Sequence, residues 1–297
     1  MPLRWTRHQR NVAFAVLLLL PAIALMSLTI VSPLFKSVFM SFTDYSLLDP
    51  EYRWNELKHY RELLQSAEFY HSLGITLLYV VITVLIDLLI GLVMSLLLNR
   101  NIRFRAFFRS IVMIPWAIPT IVTALIFMWI YQNDYGVLNY TLVHLGITKE
   151  NINWLNSIDY ALGSIIVVAV FRQMPLVAVM LLAGLQSISQ SLYEAAKIDG
   201  ASGWKLFTNV TLPLLKPVIT SVTLIMVVNN FQMFTLFFTL TGGGPLDATR
   251  SLAILTYETA FSKYELGKGS AIGVIWLILL FAFSVVFTRL MNKGSDQ

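Results

Sequence analysis

Two charged side chains lie inside long apolar segments of this 297-residue sequence. Asp87 falls within the apolar run 73–98, and Arg172 falls within the run 160–186. A charge inside a bilayer is costly, and such residues usually pair or face a water-filled cavity. Because the two residues lie at similar depths along their segments, we expect them to pair or to face one watery cavity. A packed ion pair that never contacts a solute is the alternative.

A cluster of amide side chains lies in a third apolar run, 214–240. Asn229, Asn230 and Gln232 offer hydrogen-bond donors and acceptors, which suit the hydroxyl groups of sugars. Aromatic neighbours, among them Phe234, could stack on sugar faces. Asn and Gln in membranes also hydrogen-bond between helices. Contact with a solute and interhelical bonding therefore stay open alternatives for this cluster.

Residue types that carry metal or covalent chemistry are scarce. The sequence holds no Cys, which excludes disulfides, thiolate metal sites and a Cys nucleophile. The four His are scattered, so we expect no metal site. The acids are dispersed and no G-x-x-x-x-G-K-[ST] motif that would cradle ATP phosphates is present. We therefore expect no enzyme activity on this chain.

The composition is that of an integral membrane protein. Hydrophobic residues make up 57% and charged residues 12%, with a mean hydropathy of +0.71. Soluble domains are roughly a quarter charged. The net charge of +5 fits bases that anchor cytoplasmic loops, rather than a nucleic-acid partner.

Six apolar runs are long enough to cross a bilayer, which takes roughly 20 residues in a helix. We predict an all-α membrane protein with six transmembrane helices. The first run is too long for a cleavable signal peptide and is interpreted as a retained helix. The predicted spans are 12–34, 73–98, 108–131, 160–186, 214–240 and 267–290.

Lys and Arg predict the orientation, because cytoplasmic loops carry an excess of them. The short loop 99–107 is densely basic, and the N-terminus carries Arg4, Arg7 and Arg10. Both termini are therefore predicted inside. Polar segments at 35–72, 132–159 and 241–266 then lie outside, the last a Gly- and Pro-rich loop that opens with TGGGP.

A polar hairpin, SLYEAAKIDGASGWKLFTNVTLPL, connects the fourth and fifth predicted spans. Ser191 and Glu194 fit a capping box that starts a helix, and Gly200 predicts its end. Ser202 could cap a second short helix, and Pro213 and Pro217 are expected to mark the start of the next span. So short a helix needs a partner surface, and a face of Tyr193, Ala195 and Ala196 would suit docking.

The stretch EAAKIDGASGWKLFTNVTLPLLKP resembles the EAA loop of binding-protein-dependent ABC importer permeases, with Glu194, Ala195, Ala196 and Gly200 in the motif's frame. TGGGPLDAT, FRSIVMIPWAIPTIV, DYGVLN and LLAGLQSISQSLYEAA resemble segments of the carbohydrate subgroup, which is maltose-permease-like. The likeness covers about residues 72–290. Ser189-Gln190 departs from it, since a Pro is frequent near this point. The chain resembles the shorter six-span members.

The resemblance implies a type I importer fold and a division of labour among several subunits. This chain would be half of the translocation pathway, beside a second related permease, two ATPase subunits and an extracytoplasmic solute-binding protein. ATP and Mg would be held by the ATPases, with no cofactor on this chain. The solute would be a carbohydrate, and the location a bacterial or archaeal cytoplasmic membrane.

The resemblance also assigns parts of the chain. Residues 1–71 would form the first helix and an extracytoplasmic loop, and residues 72–291 the permease core with the EAA loop at 191–217. The residues implied in ATPase coupling are Tyr193, Glu194, Ala195, Ala196, Asp199, Gly200 and Ala201.

Other functions stay open at this point. A glycerol-phosphate-type or other small polar solute is possible for the same kind of importer. An ion-coupled secondary transporter is a further alternative, although it would be expected to show inverted repeats and an acidic relay.

Overall fold

The computed structural model describes residues 6–100 and 103–292, and in these residues it is helical with no strand beyond one isolated bridge. The α-helices are α1 (Arg7–Met26), α2 (Ser32–Met40), α3 (Lys58–Gln65), α4 (Ala67–Asn99), α5 (Arg105–Val112), α6 (Ile114–Ala117), α7 (Thr120–Ile130), α8 (Val137–His144), α9 (Ala161–Ser187), α10 (Gln190–Ile198), α11 (Gly203–Leu206), α12 (Leu212–Phe231), α13 (Thr235–Leu240), α14 (Leu252–Tyr257) and α15 (Leu266–Asn292).

Three π-helical turns join some of these helices without a break. Ser27–Val31 joins α1 to α2, Phe207–Thr211 joins α11 to α12, and Glu258–Ser262 extends α14. The described residues contain five helices long and apolar enough to span a membrane, or six if one bent pair counts as a span. They confirm the spans predicted at 12–34, 73–98, 160–186 and 267–290 as helices.

The third predicted span, 108–131, is not one straight helix. Arg105–Ala117 and Thr120–Ile130 meet at an angle of 88°. Ile118 adopts an extended backbone with ψ of 132°, as expected for a residue that precedes a proline, here Pro119. The predicted span 108–131 is therefore a bent pair of helices, which counts as one span only if the two are taken together.

Packing divides the chain into two compact units. The first contains the chain up to Gln65 together with Thr256–Leu277, and the second contains Ser66–Leu255 and the chain from Ile278 onward. The domains predicted from the sequence, 1–71 and 72–291, divide the chain by expected role and stay a prediction.

In the first unit, the polar segment after α2 folds back on itself and against the start of α15. Thr43 and Trp54 form the isolated antiparallel bridge, and Asn55 donates its backbone N–H to Phe42 O at 2.9 Å. Gly267 donates its backbone N–H to Tyr45 O at 2.9 Å. A Cβ at Gly267 would collide with the Thr43 carbonyl oxygen, so glycine is required for this approach.

In the second unit, α4 and α9 pack along most of their lengths, and α12 packs against both. Lipid gives helices no hydrophobic reason to associate, so close packing of small residues supplies much of the attraction. A Cβ at Gly91 would lie 2.6 Å from a Val177 methyl group, which shows how closely α4 and α9 approach. Residues Ala169 and Ala178 of α9 are completely buried. This three-helix core fixes the polar side chains of the membrane interior.

Candidate functional site

The polar hairpin begins with α10, two residues earlier than the sequence predicts. The helix starts at Gln190, with Ser189 in the N-cap position, and no side chain caps it. The Ser189 hydroxyl instead hydrogen-bonds the Ser191 hydroxyl at 2.7 Å. The capping box predicted for Ser191 and Glu194 was therefore wrong, and Glu194 lies exposed in the middle of the helix.

The end of α10 is the turn that the sequence predicts. Gly200 has φ of +82°, a left-handed conformation that glycine adopts without strain. Its N–H donates to Lys197 O at 3.0 Å, and the Ala201 N–H donates to Ala196 O at 2.9 Å. These two bonds form a Schellman motif, which satisfies the last carbonyl groups of the helix. Gly200 is confirmed as the residue that ends it.

The second half of the hairpin is not a separate short helix. Helical structure runs without interruption from Gly203 to Phe231, through α11, a π-helical turn and α12. Pro213 lies in the first turn of α12, just after the π-helical turn, and Pro217 lies inside the same helix. Pro213 thus lies at the start of α12, as predicted, although the helix is not interrupted there. The hairpin and the fifth span share one helix of 29 residues.

The two faces of α10 differ. Gln190, Tyr193 and Lys197 point toward the C-terminal end of α4 and the start of α11, and the Tyr193 hydroxyl lies 3.1 Å from the Thr211 hydroxyl. Glu194 and Ala195 are exposed on the outer face, and Ala196 is half-buried. Tyr193 thus attaches α10 to the long helix, rather than joining the exposed face predicted for docking. Asp199 and Gly200 are exposed at the turn, with Ala201 half-buried beside them.

Asn230 is the centre of a buried hydrogen-bond network in the membrane interior. Its Oδ1 accepts from the Tyr79 hydroxyl at 3.0 Å and from Gln173 Nε2 at 2.9 Å. Its Nδ2 donates to Gln173 Oε1 at 3.0 Å and to Met226 O at 2.9 Å. Both donors and both acceptor positions of the amide are used. Asn230 therefore bonds α12 to α4 and α9 and has no hydrogen-bonding capacity left for a solute.

The helix ends one residue after this network. Gln232 leaves the helical ladder, and the chain resumes as α13 at Thr235. Asn229 and Gln232 are exposed, on either side of buried Asn230. Phe234 is half-buried and stacks on Phe238 with ring centroids 5.0 Å apart. The predicted cluster thus separates into a structural amide, Asn230, and two amides that are accessible in this chain.

The structure does not join Asp87 and Arg172 by a hydrogen bond. Asp87 is fully buried in α4, and both of its carboxyl oxygens lack a hydrogen-bond partner among the described residues. Arg172 is half-buried, and its Nε also has no partner there. The predicted pair is therefore not formed in this chain. Asp87 lies against the α4–α9 packing surface, where a carboxylate would be costly.

Two members of the network were not predicted from the sequence. Gln173 follows Arg172 directly, and a polar residue beside a charge within a span could have indicated it. Tyr79 gives no comparable signal, because tyrosine is common in apolar segments. Tyr79 and Gln173 are both far from Asn230 in sequence. Only the packing of α4, α9 and α12 brings the three side chains together.

The Gly-rich loop predicted at TGGGP is confirmed, and it is fixed to the start of α4. Gly242 and Gly243 adopt positive φ of 61° and 95°. Arg250 forms an ion pair with Glu68 at 2.6 Å, and the Leu252 N–H donates to the Thr76 hydroxyl at 2.8 Å. The loop is therefore an ordered surface on the side opposite the hairpin.

The described residues contain no group of three or more His, Cys, Asp or Glu side chains that could hold a metal ion. The described residues thus combine long apolar helices with an exposed polar hairpin and a broken polar end of α12.

Comparison with known proteins identifies the family. Residues 87–295 match the family described as "Binding-protein-dependent transport system inner membrane component". The chain belongs to this family, and it is a multi-pass protein of the inner membrane. The predicted likeness to binding-protein-dependent importer permeases is confirmed.

Two curated relatives extend over nearly the whole chain. A trehalose/maltose transport system permease protein from Thermococcus litoralis is 34% identical, over 97% of this chain and 96% of its own. A sulfoquinovosyl glycerol transport system permease protein from Agrobacterium fabrum is 37% identical, over 97% of this chain and 94% of its own. Both are described as permease proteins rather than as ATPases.

A solved structure supports the fold. A chain of a bacterial ABC transporter involved in the import of the acidic polysaccharide alginate superposes with a TM-score of 0.84. The alignment covers 96% of each chain at 19% identity, so this likeness concerns the fold alone.

Proposed function

We propose that this chain is one membrane half of an ATP-driven importer for a sugar or oligosaccharide. The observation that carries the proposal is the exposed hairpin helix α10, which ends in a Schellman turn at Gly200. The turn leads into the long helix Gly203–Phe231, which reaches the broken polar end at Gln232. The relatives described as permeases of trehalose/maltose and sulfoquinovosyl glycerol transport systems support the solute class.

The hairpin is proposed to couple the chain to an ATPase partner. Glu194 and Ala195 lie on an exposed face, and a helix of nine residues is too short to be stable without tertiary contacts. Two ATPase subunits would bind ATP and Mg, and this chain would hold no cofactor. Docking of the outer face of α10 on one ATPase would transmit closure of the ATPase pair to the membrane helices, a rigid-body gating step.

The long helix supports this transmission mechanism. Tyr193 attaches α10 to Thr211, which lies in the helix that ends at Phe231. At 1.5 Å per residue, a helix of 29 residues extends about 43 Å, enough to cross the bilayer. A displacement of the hairpin would therefore move the broken end of α12 directly. The Asn230 network would hold that end against α4 and α9 in each state.

The broken end is proposed to contact the solute. Asn229 and Gln232 offer amide groups that suit sugar hydroxyls, and Phe234 offers an aromatic face nearby. A second related permease would form the opposite wall of the pathway, and an extracytoplasmic binding protein would deliver the solute. Both termini would lie inside, which puts the hairpin in the cytoplasm.

An anionic sugar derivative is the second candidate solute. The sulfoquinovosyl glycerol permease is as similar to this chain as the trehalose/maltose permease. Arg172, half-buried one residue before Gln173, would be available to an anion. A glycerol-phosphate-type solute falls in the same chemical class.

The test is the ATPase activity of the complete complex in lipid, co-expressed from neighbouring transporter genes. A panel of binding proteins would be added, loaded with neutral disaccharides, sulfonated glycosides or glycerol phosphates. Stimulation by one loaded binding protein supports the importer and identifies the solute. Stimulation by none of them, in a complex that contains the ATPase, would contradict the proposal.

A further inference from the structure

A cleft of 880 Å³ lies between the inner face of the hairpin and the C-terminal end of α4. Its volume falls in the range of roughly 300–1,000 Å³ that is usual for ligand pockets. The outer face of α10, with Glu194 and Ala195, does not line it. The cleft is therefore separate from the surface proposed for ATPase docking.

The polar rim of this cleft is basic. Arg100, just after the end of α4, and Lys197 of α10 both line it and are both exposed. Neither forms an ion pair with any described residue. Of the described residues that line the cleft, none is acidic. Two cations without counter-charges thus share one opening, which would attract an anion.

Another wall of the cleft is apolar and aromatic. Val93 and Leu96 belong to the last turns of α4, at the end of an apolar run. Trp204 is 75% exposed and lies 5.5 Å from Phe207 between ring centroids. Indole rings with this exposure are typical of the membrane–water interface, where one end is apolar and the other is hydrated.

A basic rim above an apolar wall matches an amphiphile with an anionic head group. Basic pockets between membrane helices on the cytoplasmic side are known to suit such lipids. A free anion would use the bases but leave Val93, Leu96 and Trp204 uncovered. The chemistry of the whole cleft is therefore matched only by a ligand that carries both parts.

We propose that this cleft binds an anionic phospholipid, with the phosphate at Arg100 and Lys197 and the acyl chains against Val93, Leu96 and Phe207. The inference rests on the proposed function only for the orientation, which sets the hairpin at the cytoplasmic surface. A lipid in the cleft bridges α4 and α10, so it fixes the distance of the hairpin from the membrane. Together with the Tyr193–Thr211 contact, it holds α10 in place for its partner.

The test uses the fluorescence of Trp204 in nanodiscs that contain the full chain with its copurifying subunits. Brominated phosphatidylglycerol or brominated phosphatidylcholine is added at equal mole fraction. The Trp204 signal is obtained as the difference between wild type and Trp204→Phe. We expect phosphatidylglycerol to bind about 30-fold more tightly, because each base near an anionic lipid adds about 1 kcal/mol, roughly a fivefold factor.

Two variants locate the effect. Arg100→Gln combined with Lys197→Gln is expected to abolish the preference while leaving Trp204 in place. Lys205 is an exposed base that does not line the cleft. Lys205→Gln is therefore the matched control and should keep the preference for phosphatidylglycerol. Inorganic phosphate at millimolar concentration should not displace the brominated lipid.

Three results would overturn the proposal. Equal quenching by both lipids would remove the anionic preference, and complete competition by inorganic phosphate would indicate a simple anion site. If neither brominated lipid quenched Trp204 when the ATPase was bound, and both did so without it, the cleft would belong to a protein partner. None of these readouts depends on transport, so failure here is distinguishable from failure of the importer proposal.

Discussion

The polar hairpin and the polar network of the membrane interior are built in opposite ways. The hairpin is exposed, and backbone bonds between residues at most five apart in sequence define its turn at Gly200. The network is buried, and its bonds join residues far apart in sequence, Tyr79, Gln173 and Asn230. Polar groups whose hydrogen bonds are all made within the chain stabilise one packing of the helices. Polar groups left exposed on an ordered helix are available to a partner.

The largest effect is expected from Gly200, where the hairpin depends on one backbone conformation. Gly200→Val would put a β-branched residue at φ of +82°, and left-handed backbone costs an L-residue about 1–2 kcal/mol or more. We expect loss of solute-stimulated ATPase activity and of uptake, with the chain still in the membrane. No neighbouring atom lies within 4 Å of a Cβ at Gly200, so a steric clash is not the cause.

Gly200→Asn is the matched control for this variant. Asn tolerates the left-handed region far better than Val, and it should retain most of the coupling. Equal loss in both variants would mean that the backbone turn is not what the hairpin requires.

The second prediction separates Asn229 from Asn230, which are adjacent in sequence and opposite in environment. Asn230→Ala leaves the Tyr79 hydroxyl and the Gln173 amide without partners, and we expect a loss of about 1–2 kcal/mol in stability. Asn229→Ala removes an exposed amide and should weaken uptake without lowering the thermal unfolding midpoint. The two measurements are thermal unfolding in detergent and uptake in proteoliposomes. The reverse pattern would show that Asn230, not Asn229, serves the solute.

The third prediction concerns the contact that joins the two halves of the hairpin. Tyr193→Phe removes one partly buried hydroxyl bond to Thr211, worth about 0.5–1.5 kcal/mol. We expect faster amide hydrogen exchange in α10, with the rest of the chain unchanged. Tyr140→Phe, an exposed tyrosine on the opposite side, is the control and should leave α10 unaffected.

The smallest effect is expected in the polar segment of the first unit. A hydrogen bond from Asn55 and the nearby charge of Lys58 lower the pKa of Asp44 below its ordinary value of 3.8, although burial opposes this. A carboxyl group whose pKa is lowered by folding adds stability above its unfolded pKa and loses it as pH falls through the folded pKa. The segment should therefore loosen only below pH 3.8.

Hydrogen exchange of residues 41–57 as a function of pH checks this, with Asn55→Ala as the comparison. The variant lacks the main cause of the lowered pKa, so its exchange should change less with pH below 3.8 than that of the wild type. Identical profiles would show that Asn55 does not hold Asp44 in its charged form.

The same contrast explains what could be predicted from the sequence. Apolar length predicts the spans, and Gly200 predicts the end of α10, because both depend on local chemistry. The start of α10 was misplaced, since Ser189 and Ser191 offer equivalent local signals. The continuity from Gly203 to Phe231 was missed, because prolines are compatible with the first turn of a helix and with a supported membrane helix.

The network could not be predicted, because it depends on how three helices pack. Asn229 and Asn230 are identical in type, and only the rotation of α12 against α4 and α9 decides which one is buried. Asp87 and Arg172 fall at similar depths, yet depth along a helix does not specify the direction of a side chain. The spacing therefore could not predict that Asp87 and Arg172 form no hydrogen bond with each other.

The most direct test of the account is whether the ATPase covers the outer face of α10. Since the chain has no Cys, Ile198→Cys provides a single thiol at a residue that is 87% exposed. Leu246→Cys, also 87% exposed but in the loop on the opposite side, is the matched control. Labelling by a maleimide would be compared in complexes with and without the ATPase. The account predicts that the ATPase protects Ile198→Cys and leaves Leu246→Cys reactive. Equal labelling of Ile198→Cys in both states would contradict it.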